Sequence, residues 1–332
     1  MLDRLFEKNN RHSIDKPLKV RIVCYEDIDA WILGKFAKRM NERLNSLGID
    51  SVIAKTPDPE ADINHHIIYL NYDGKKLTNE TMMITHVDSN QKVQLIKKQL
   101  NNVRMGICMS KETVDKLVSY GLPRHKLCYV DPAQDNVIKP RKYVIGLTSN
   151  LHDDYRKREE FLVDLCSRID SEYFKFVIMG TGWNKIIDDI NKIGIETEYY
   201  DHFDYNEYVQ LMPKFDYYLY FGFDEGSMGY MDALRAGIGT IVTPQGYHMD
   251  FRDGIDYPCS NIGDFVDAFN SICSKRKKRV NLITDYTWET YTDKHIEIWN
   301  YLLKRIPLGE CLKNRGLYND GIFSVLVDDI YG

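Results

Sequence analysis

The sequence lacks the features that would assign it to several large functional classes. Its seven cysteines are scattered, and none forms a CxxC pair, so neither a zinc site nor a dithiol redox motif is indicated. No apolar run approaches the roughly 20 residues of a membrane span, and the first residues lack the apolar core of a signal peptide. Low-complexity tracts and short-period repeats are also missing. We therefore expect reduced thiols and a cytoplasmic protein.

Length and composition are those of an ordinary globular protein. The 332 residues are enough for two domains with sizeable cores. Hydrophobic residues make up 43% of the chain and charged residues 28%. The formal net charge of −5 does not favour wholesale binding to nucleic acid, so we expect no nucleic-acid partner.

Strand and helix patterns alternate along the chain. A buried strand is predicted over residues 20–25, a helix over 30–47, and short apolar runs follow at 67–70 and 82–85. The segment 131–142 contains two prolines and several charges, as is typical of a linker. After it the alternation restarts. The pattern predicts an α/β protein with two Rossmann-like domains, each built on a parallel sheet.

The most informative segment begins with the apolar run 217–223, which predicts a buried strand. Acidic residues and glycines follow where a helix should start. Ligands of doubly wound sheets bind there; helix amides favour phosphate, and glycines allow its close approach. Asp224 and Asp232 flank the turn and offer acceptors to the hydroxyls of a sugar or ribose. Backbone amides would come from Gly226, Ser227, Met228 and Gly229.

Five segments in a fixed order connect this chain to a known family. They are residues 109–113 (MSKET) with 121–123 (GLP), 176–182 (FVIMGTG), 197–208, 215–244 and 287–289 (TWE). In this order they resemble the glycosyltransferase family 4 branch of the GT-B superfamily. The resemblance covers residues 103–303 well and the N-terminal third in outline.

The resemblance implies two domains whose sheets face an interdomain cleft. Residues 1–140 would bind the acceptor, residues 141–285 would bind a nucleotide-diphosphate sugar, and 286–332 would form a helix and tail that cross back to the first domain. The implied activity is a retaining, metal-independent hexosyl transfer to a hydroxyl of a glycan, lipid-linked or protein acceptor, in the synthesis of glycans or cell-surface polysaccharides. No cofactor is expected.

The family's donor motif has two glutamates separated by seven residues. Asp224 and Asp232 have that spacing here, whereas Glu225 is one residue too close. The resemblance implies that the first acid contacts the donor sugar and the second contacts the ribose. Aspartate is one methylene shorter than glutamate, so whether Asp224 or Glu225 takes the first role stays open. The alternative is an acid that stabilises a helix N-terminus and an exposed Asp232.

A cation is needed for the diphosphate, and the family places an arginine and a lysine in the loop after the first donor-domain strand. Asn150 stands where the arginine is usual. Arg156, Lys157 or Arg158 could supply the charge, although such a run is also typical of a solvated helix start. Gly180, in the loop that resembles the family's strand-plus-glycine segment, completes the predicted donor-binding set.

His86 ends the apolar run 82–85, where the family often has a histidine that faces the cleft. It could position the reacting sugar or hydroxyl; a structural role is the alternative. His65 and His66 are adjacent, so on a strand they face opposite ways and make a poor metal pair. The acidic pairs at 153–154 and 188–189 are expected to be solvated. We predict no metal, because GT-B proteins stabilise the leaving diphosphate with protein donors.

The basic run 274–279 could contact an anionic membrane at its inner face, which would suit a lipid-linked acceptor. The alternative is an exposed helix end or loop. Two other functions stay open: a catalytically degenerate GT-B protein that binds a glycan or partner, and a sugar-nucleotide epimerase. A nicotinamide oxidoreductase is disfavoured, because no GxGxxG follows a predicted first strand. Residues 1–17 are expected to form an arm or short helix, and 307–332 match no pattern.

Overall fold

The computed structural model describes residues 18–74, 77 and 79–304. The predicted arm at 1–17 and the tail at 307–332 lie outside these residues. The described chain divides into two compact units. Unit 1 comprises the described residues up to Asn136 together with those from Ile283 onward, and unit 2 comprises Val137–Leu282.

Strands and helices alternate in both units. The strands are β1 (Lys19–Val23), β2 (Asp50–Ala54), β3 (Ile63–His66), β4 (Glu80–Ile84), β5 (Met105–Cys108), β6 (Leu127–Tyr129), β7 (Tyr143–Thr148), β8 (Phe174–Met179), β9 (Glu196–Tyr200), β10 (Tyr217–Tyr220), β11 (Gly239–Val242) and β12 (Tyr257–Pro258). The α-helices are α1 (Ile32–Ser46), α2 (Asn90–Gln99), α3 (Lys111–Ser119), α4 (Glu160–Arg168), α5 (Asn184–Lys192), α6 (Tyr205–Leu211), α7 (Met228–Ala236), α8 (Ile262–Asn281) and α9 (Trp288–Leu302).

Unit 1 is built on a parallel sheet with the strand order β2-β1-β3-β4-β5-β6. Its last helix, α9, is separated from the rest of the unit in sequence and packs against α1. The rings of Phe36 and Trp288 meet edge to face with centroids 5.0 Å apart. Arg43 holds Asp293 with two hydrogen bonds of 3.0 and 2.9 Å. Helix α9 therefore completes the core of the unit in which the chain begins.

Unit 2 is built on a parallel sheet with the order β12-β11-β10-β7-β8-β9. Counted from its own first strand, this is the 3-2-1-4-5-6 order of dinucleotide-binding folds. The order reverses between β7 and β10. Aromatic side chains fill its core, among them Phe174, Phe221 and Phe269. Two six-stranded parallel sheets with interleaved helices confirm the predicted α/β class.

Several bounds differ from the sequence prediction. Helix α2 was not predicted. The apolar run 67–70 is not a strand: β3 ends at His66, and Tyr69–Asn71 forms a short 3₁₀ turn. The sequence pattern predicts a helix over 231–236, but α7 begins at Met228, closer to the acidic turn.

The sequence pattern predicts a helix over 262–273 that ends before the basic run, but α8 continues through the run to Asn281. Two of the basic side chains find partners in the unit. The guanidinium of Arg276 lies 3.4 Å from the ring centroid of Tyr143, and Lys277 pairs with Asp170 at 3.0 Å. Lysine and arginine have good helix propensity, and these contacts further stabilise the helical conformation of the basic run.

The predicted linker at 131–142 is partly bound into unit 1. The amide of Gln134 donates to the carbonyl of Tyr286 at 2.7 Å. Asp135 accepts from Lys35 and from the indole N–H of Trp288. The segment that links the two units is therefore shorter than the predicted linker at 131–142.

None of the helices in the described part of the chain is both long and apolar enough to cross a membrane. The six cysteines that fall in this part are buried free thiols. Burial raises the pKa of Cys166 and Cys259 to about 12, so these two groups stay protonated.

Candidate functional site

Three loops of unit 2 lie at the carboxyl ends of its central strands. They follow β7, β8 and β10, and two of these strands flank the point where the strand order reverses. In open α/β sheets, ligands bind in the crevice at this point. The candidate site is therefore placed by topology before any side chain is considered.

A cavity of about 340 Å³ opens between these loops. Its walls contain six of the residues predicted to bind the donor: Asn150, Gly180, Ser227, Met228, Gly229 and Asp232. Residues 150 and 232 are far apart in sequence, so the fold has brought the predicted set together. The cavity walls also contain Phe203, Tyr205 and Tyr208, which the sequence analysis did not single out.

The N-terminus of α7 forms one wall of the cavity. Ser227 precedes the helix in an extended conformation, and its hydroxyl lies 2.6 Å from the Tyr218 phenol. The amides of Met228 and Gly229 are the first two of the helix, and such amides have no intrahelical acceptor. Two donors and the positive end of the helix dipole therefore face this region, which suits an anion.

His248 fixes this helix start and was not identified from the sequence. Its Nε2 accepts a hydrogen bond of 2.8 Å from the Ser227 amide, and its Nδ1 lies 3.0 Å from the Thr243 carbonyl. The ring is fully buried, and burial lowers the pKa of His248. A neutral ring with its proton on Nδ1 satisfies both contacts. The histidine lies 21 residues after Ser227, so no local motif reveals it.

Glycines allow the site loops to pack closely on the protein. A Cβ on Gly180 (φ +141°) would lie 2.2 Å from the Ser149 carbonyl oxygen. A Cβ on Gly226 (φ +115°) would lie 2.9 Å from the His248 ring, and one on Gly229 would lie 2.3 Å from the Tyr218 hydroxyl. At these three positions the space left by glycine is filled by protein atoms.

Asp224 is held by a cluster of donors beside the helix start. Lys157 Nζ lies 2.7 Å from its Oδ2, the Tyr220 hydroxyl donates to its Oδ1, and the Gly226 amide donates at 3.1 Å. Partial burial opposes ionisation of Asp224, but these hydrogen bonds outweigh it and lower the pKa of the carboxyl. Asp224 is therefore a fixed carboxylate.

Glu225 and Asp232 are less constrained. The Glu225 side chain is exposed and has no partner among the described residues, and only its backbone carbonyl is bound, by the Tyr247 amide at 3.1 Å. The exposed Asp232 carboxylate accepts from the Tyr208 hydroxyl. Of the two candidates for the sugar-contacting acid, Asp224 is thus the ordered one.

The three basic residues of the β7 loop have different surroundings. Arg158 covers the Phe223 ring at 3.1 Å and donates to the Ser260 carbonyl. Lys157 donates to the Tyr220 hydroxyl at 2.9 Å as well as to Asp224, and 13% of its side chain is exposed. Arg156 lies 3.9 Å from Asp224 and is 43% exposed. Lys157 is therefore the most firmly placed cation, and Arg156 the freest.

Asn150 connects two loops by a hydrogen bond. Its Oδ1 accepts a hydrogen bond of 2.8 Å from the Thr181 amide, which ties the loop after β7 to the loop after β8. Asn150 thus shapes the cavity wall and contributes no charge.

His86 belongs to unit 1 and follows β4. Its ring is exposed, with Nδ1 3.1 Å from the Thr85 hydroxyl, and its carbonyl accepts from the Tyr69 hydroxyl at 2.8 Å. The structure therefore places it outside the unit that contains the cavity.

A buried hydrogen-bonded chain in unit 1 was also missed. The Tyr25 hydroxyl lies 3.0 Å from His66 Nδ1, and His66 Nε2 lies 3.1 Å from Glu80. Tyr25 follows β1 and His66 ends β3, the strands between which the order of this sheet reverses. His65 bonds to Thr81 instead, so the two neighbouring histidines do have different partners. Within the described residues, no group of three or more metal-ligating side chains is close enough to hold a metal ion.

No protein-family model matches this chain, and no curated protein matches it. Among solved structures it is similar to S. aureus TarM in complex with fondaparinux, α-GlcNAc-glycerol and UDP (14% identity over 72% of this chain and 55% of that chain, TM-score 0.33). It is also similar to the lipopolysaccharide outer core galactosyltransferase WaaB (15%, 87% and 100%, TM-score 0.35). A third match is a glycosyltransferase from Rickettsia africae (11%, 87% and 100%, TM-score 0.36). Similarity of this size carries no inference about function.

Proposed function

We propose that this chain is a GT-B glycosyltransferase. It moves a hexosyl group from a nucleotide-diphosphate sugar to a hydroxyl of a glycan, lipid-linked or protein acceptor, with retention of configuration and without a metal or cofactor. The observation that carries the proposal is the cavity at the strand-order reversal of unit 2. Six residues predicted to bind the donor line it, and a fixed lysine–aspartate pair lies in the adjoining loops.

The cavity offers a complementary group to each part of such a donor. Met228, Phe203 and Tyr205 are exposed apolar side chains on its wall, and they can cover a nucleobase. Asp232 offers a carboxylate to the ribose hydroxyls. The free amides at the start of α7 and a cation from the β7 loop suit the diphosphate.

In the proposed reaction, the acceptor hydroxyl oxygen attacks C1 of the sugar while the bond from C1 to the phosphate oxygen breaks. The electron pair of that bond leaves with the diphosphate, which takes the hydroxyl proton. Lys157 or Arg156 and the helix amides stabilise the charge that develops on the leaving group. Asp224 orients the lysine and the sugar, and exclusion of water limits hydrolysis.

The test is a panel of UDP-, GDP- and dTDP-sugars, assayed for transfer and for donor hydrolysis. We expect activity with at least one base, and a loss of about a hundredfold in the double variant Asp224→Ala/Glu225→Ala, as for removal of a charge-stabilising group. The matched control Asp188→Ala/Asp189→Ala removes two acids from α5 and should keep full activity. Full activity of the Asp224/Glu225 variant would refute the site assignment.

One observation favours a second function, a catalytically degenerate GT-B protein that binds a glycan or partner without turnover. Lys157 is already paired with Asp224 at 2.7 Å, and Arg156 is also near this acid. The charges available to a leaving diphosphate are thus partly neutralised. Calorimetry with nucleoside diphosphates separates the two functions, because the transferase would bind at least one of them and the degenerate protein would bind none.

The proposed location is cytoplasmic, with peripheral contact to an anionic membrane through α8. Lys275, Lys278 and Arg279 are exposed and recur at helical spacing, so they share one face. Each charge near an anionic surface is worth about 1 kcal/mol. Replacing Lys275 and Lys278 by alanine should therefore weaken binding to phosphatidylserine-containing vesicles about thirtyfold in a sedimentation assay. Replacing Lys185 and Lys192 of α5 should not, and an equal loss in both variants would contradict the assignment.

A further inference from the structure

A second cavity of unit 2, of about 470 Å³, opens at the opposite edge of the sheet, where β7, β10, β11 and β12 begin. Its lining residues are Tyr143, Asp216, Tyr217, Gly239, Asp256 and Tyr257. None of them lines the first cavity, which lies at the other ends of the strands. We call this second cavity the tyrosine box.

Three phenol rings form the walls of the box. The rings of Tyr143 and Tyr217 have centroids 6.0 Å apart and planes inclined at 63°. Those of Tyr217 and Tyr257 are 6.1 Å apart and inclined at 67°. Rings at these angles make adjoining walls rather than one flat stacking platform. Their hydroxyls make no hydrogen bond to any residue that the structure describes, so they are available to a ligand.

The two carboxylates of the box differ in their partners. Asp216 is paired with Arg141 at 2.6 Å, but Asp256 has no cationic partner in the described parts of the chain and uses one oxygen for the Thr240 amide. Burial, with smaller contributions from the neighbouring tyrosines and from both aspartates, raises the pKa of Tyr217 to about 12. A negative group is therefore disfavoured at this place, and a positive one is favoured.

Gly239 allows the Tyr217 ring and the Asp256 carboxylate to lie close to the backbone at the floor of the box. Gly239 lies on the strand between those that begin with Tyr217 and Tyr257. A Cβ on Gly239 would lie 2.6 Å from the Tyr217 ring and 3.3 Å from an Asp256 oxygen. Any larger residue would push into the corner where the ring and the carboxylate meet.

One wall of the box already holds a positive group. The guanidinium carbon of Arg276 lies 3.4 Å from the ring centroid of Tyr143, well within the distance at which ring faces attract cations. We propose that the tyrosine box binds a small aliphatic ammonium compound, held by the phenol rings and by the carboxylate of Asp256. A neutral sugar could hydrogen-bond to the same phenols and to the carboxylate, but it would leave the negative charge of Asp256 without a counter-charge. This site does not depend on the proposed sugar transfer.

The test is calorimetry of the full chain with four probes: choline, putrescine, 3,3-dimethyl-1-butanol and glucose. The alcohol has the shape of choline without its charge. We expect choline or putrescine to bind about tenfold more tightly than the alcohol, in the range of a partly desolvated cation–π contact. Equal binding of the alcohol, or binding of glucose but of neither cation, would overturn the proposal.

We expect two variants to change the affinity for the cation in opposite directions. Asp256→Asn keeps an acceptor for the Thr240 amide but removes the charge, and should weaken binding of the cation about fivefold to tenfold. Arg276→Gln removes the competing charge from Tyr143 and should strengthen binding about threefold. An unchanged affinity in the first variant or a weaker one in the second would count against the box. Because the signs differ, a general loss of folding cannot imitate both results.

Discussion

Replacing Lys157 by alanine is expected to lower kcat/KM for sugar transfer by about a hundredfold to a thousandfold. The lysine is the best-ordered cation beside the start of α7, held by the Tyr220 hydroxyl and by Asp224. Under the proposed mechanism, its loss removes the charge that stabilises the departing diphosphate, and removal of one such group costs factors of this size. It also leaves Asp224 without its strongest donor. Steady-state kinetics with the preferred donor measures the effect.

Two further variants decide which cation acts. Arg156→Ala removes an exposed side chain 3.9 Å from Asp224 and should cost less than about tenfold, as for a solvent-screened charge. Lys157→Arg keeps the charge and should recover part of the activity. If Arg156→Ala were the inactive variant and Lys157→Ala the active one, Arg156 and not Lys157 would be the cation that stabilises the leaving diphosphate.

Unit 1 should lose stability steeply as the pH falls from about 6.5 to 4. His295 and His65 are fully buried and face each other with ring centroids 5.1 Å apart. Burial lowers the pKa of His295 from 6.5 to about 4, despite its hydrogen bond to the Tyr291 carbonyl. Burial, and then repulsion from His295 and His66, lowers the pKa of His65 well below 6.5.

The sign of the effect follows from proton linkage. Between pH 6.5 and 4 the unfolded chain binds protons that the folded chain does not, so acid favours unfolding. Above pH 6.5 this effect does not lower the free energy of unfolding. By pH 4 the shifted pKa of His295 alone should have lowered the free energy of unfolding by about 3 kcal/mol. His65 acts in the same direction.

Urea unfolding at several pH values measures the loss. In a Trp183→Phe background the remaining tryptophans, at 31, 288 and 299, all report on unit 1. His295→Leu should flatten the pH dependence, whereas His152→Ala, at an exposed histidine, should leave it unchanged. A stability of unit 1 that does not change over this range would show that the two rings are not held neutral by burial.

Elements with a strong local signal were predictable from the sequence. The sequence pattern predicts strands over 143–148, 174–179 and 239–242 and a helix over 184–192. β7, β8, β11 and α5 have these bounds, because each combines a regular apolar pattern with a clear stop. Helix α2 was missed since few apolar residues mark its buried face, among them Val93 and Ile96, and polar residues fill the rest. The end of α8 was misplaced because Tyr143, which binds Arg276, lies far away in the chain.

The candidate site was predictable only where one segment contains it. The acidic turn and the start of α7 lie within a dozen residues, so a local pattern could indicate Asp224 and Ser227. His248 and Tyr208 are brought to the same place by other elements. Their roles depend on distances that no spacing in the sequence encodes.

The interleaved order of the two units has a consequence for synthesis. Every described residue of unit 2 leaves the ribosome before α9, which carries the Trp288, Ile298 and Trp299 side chains of the unit 1 core. Domains tend to fold as soon as their residues have emerged. The core of unit 1, whose synthesis begins first, therefore stays incomplete until α9 has emerged. Unit 2 is the first of the two that can fold completely.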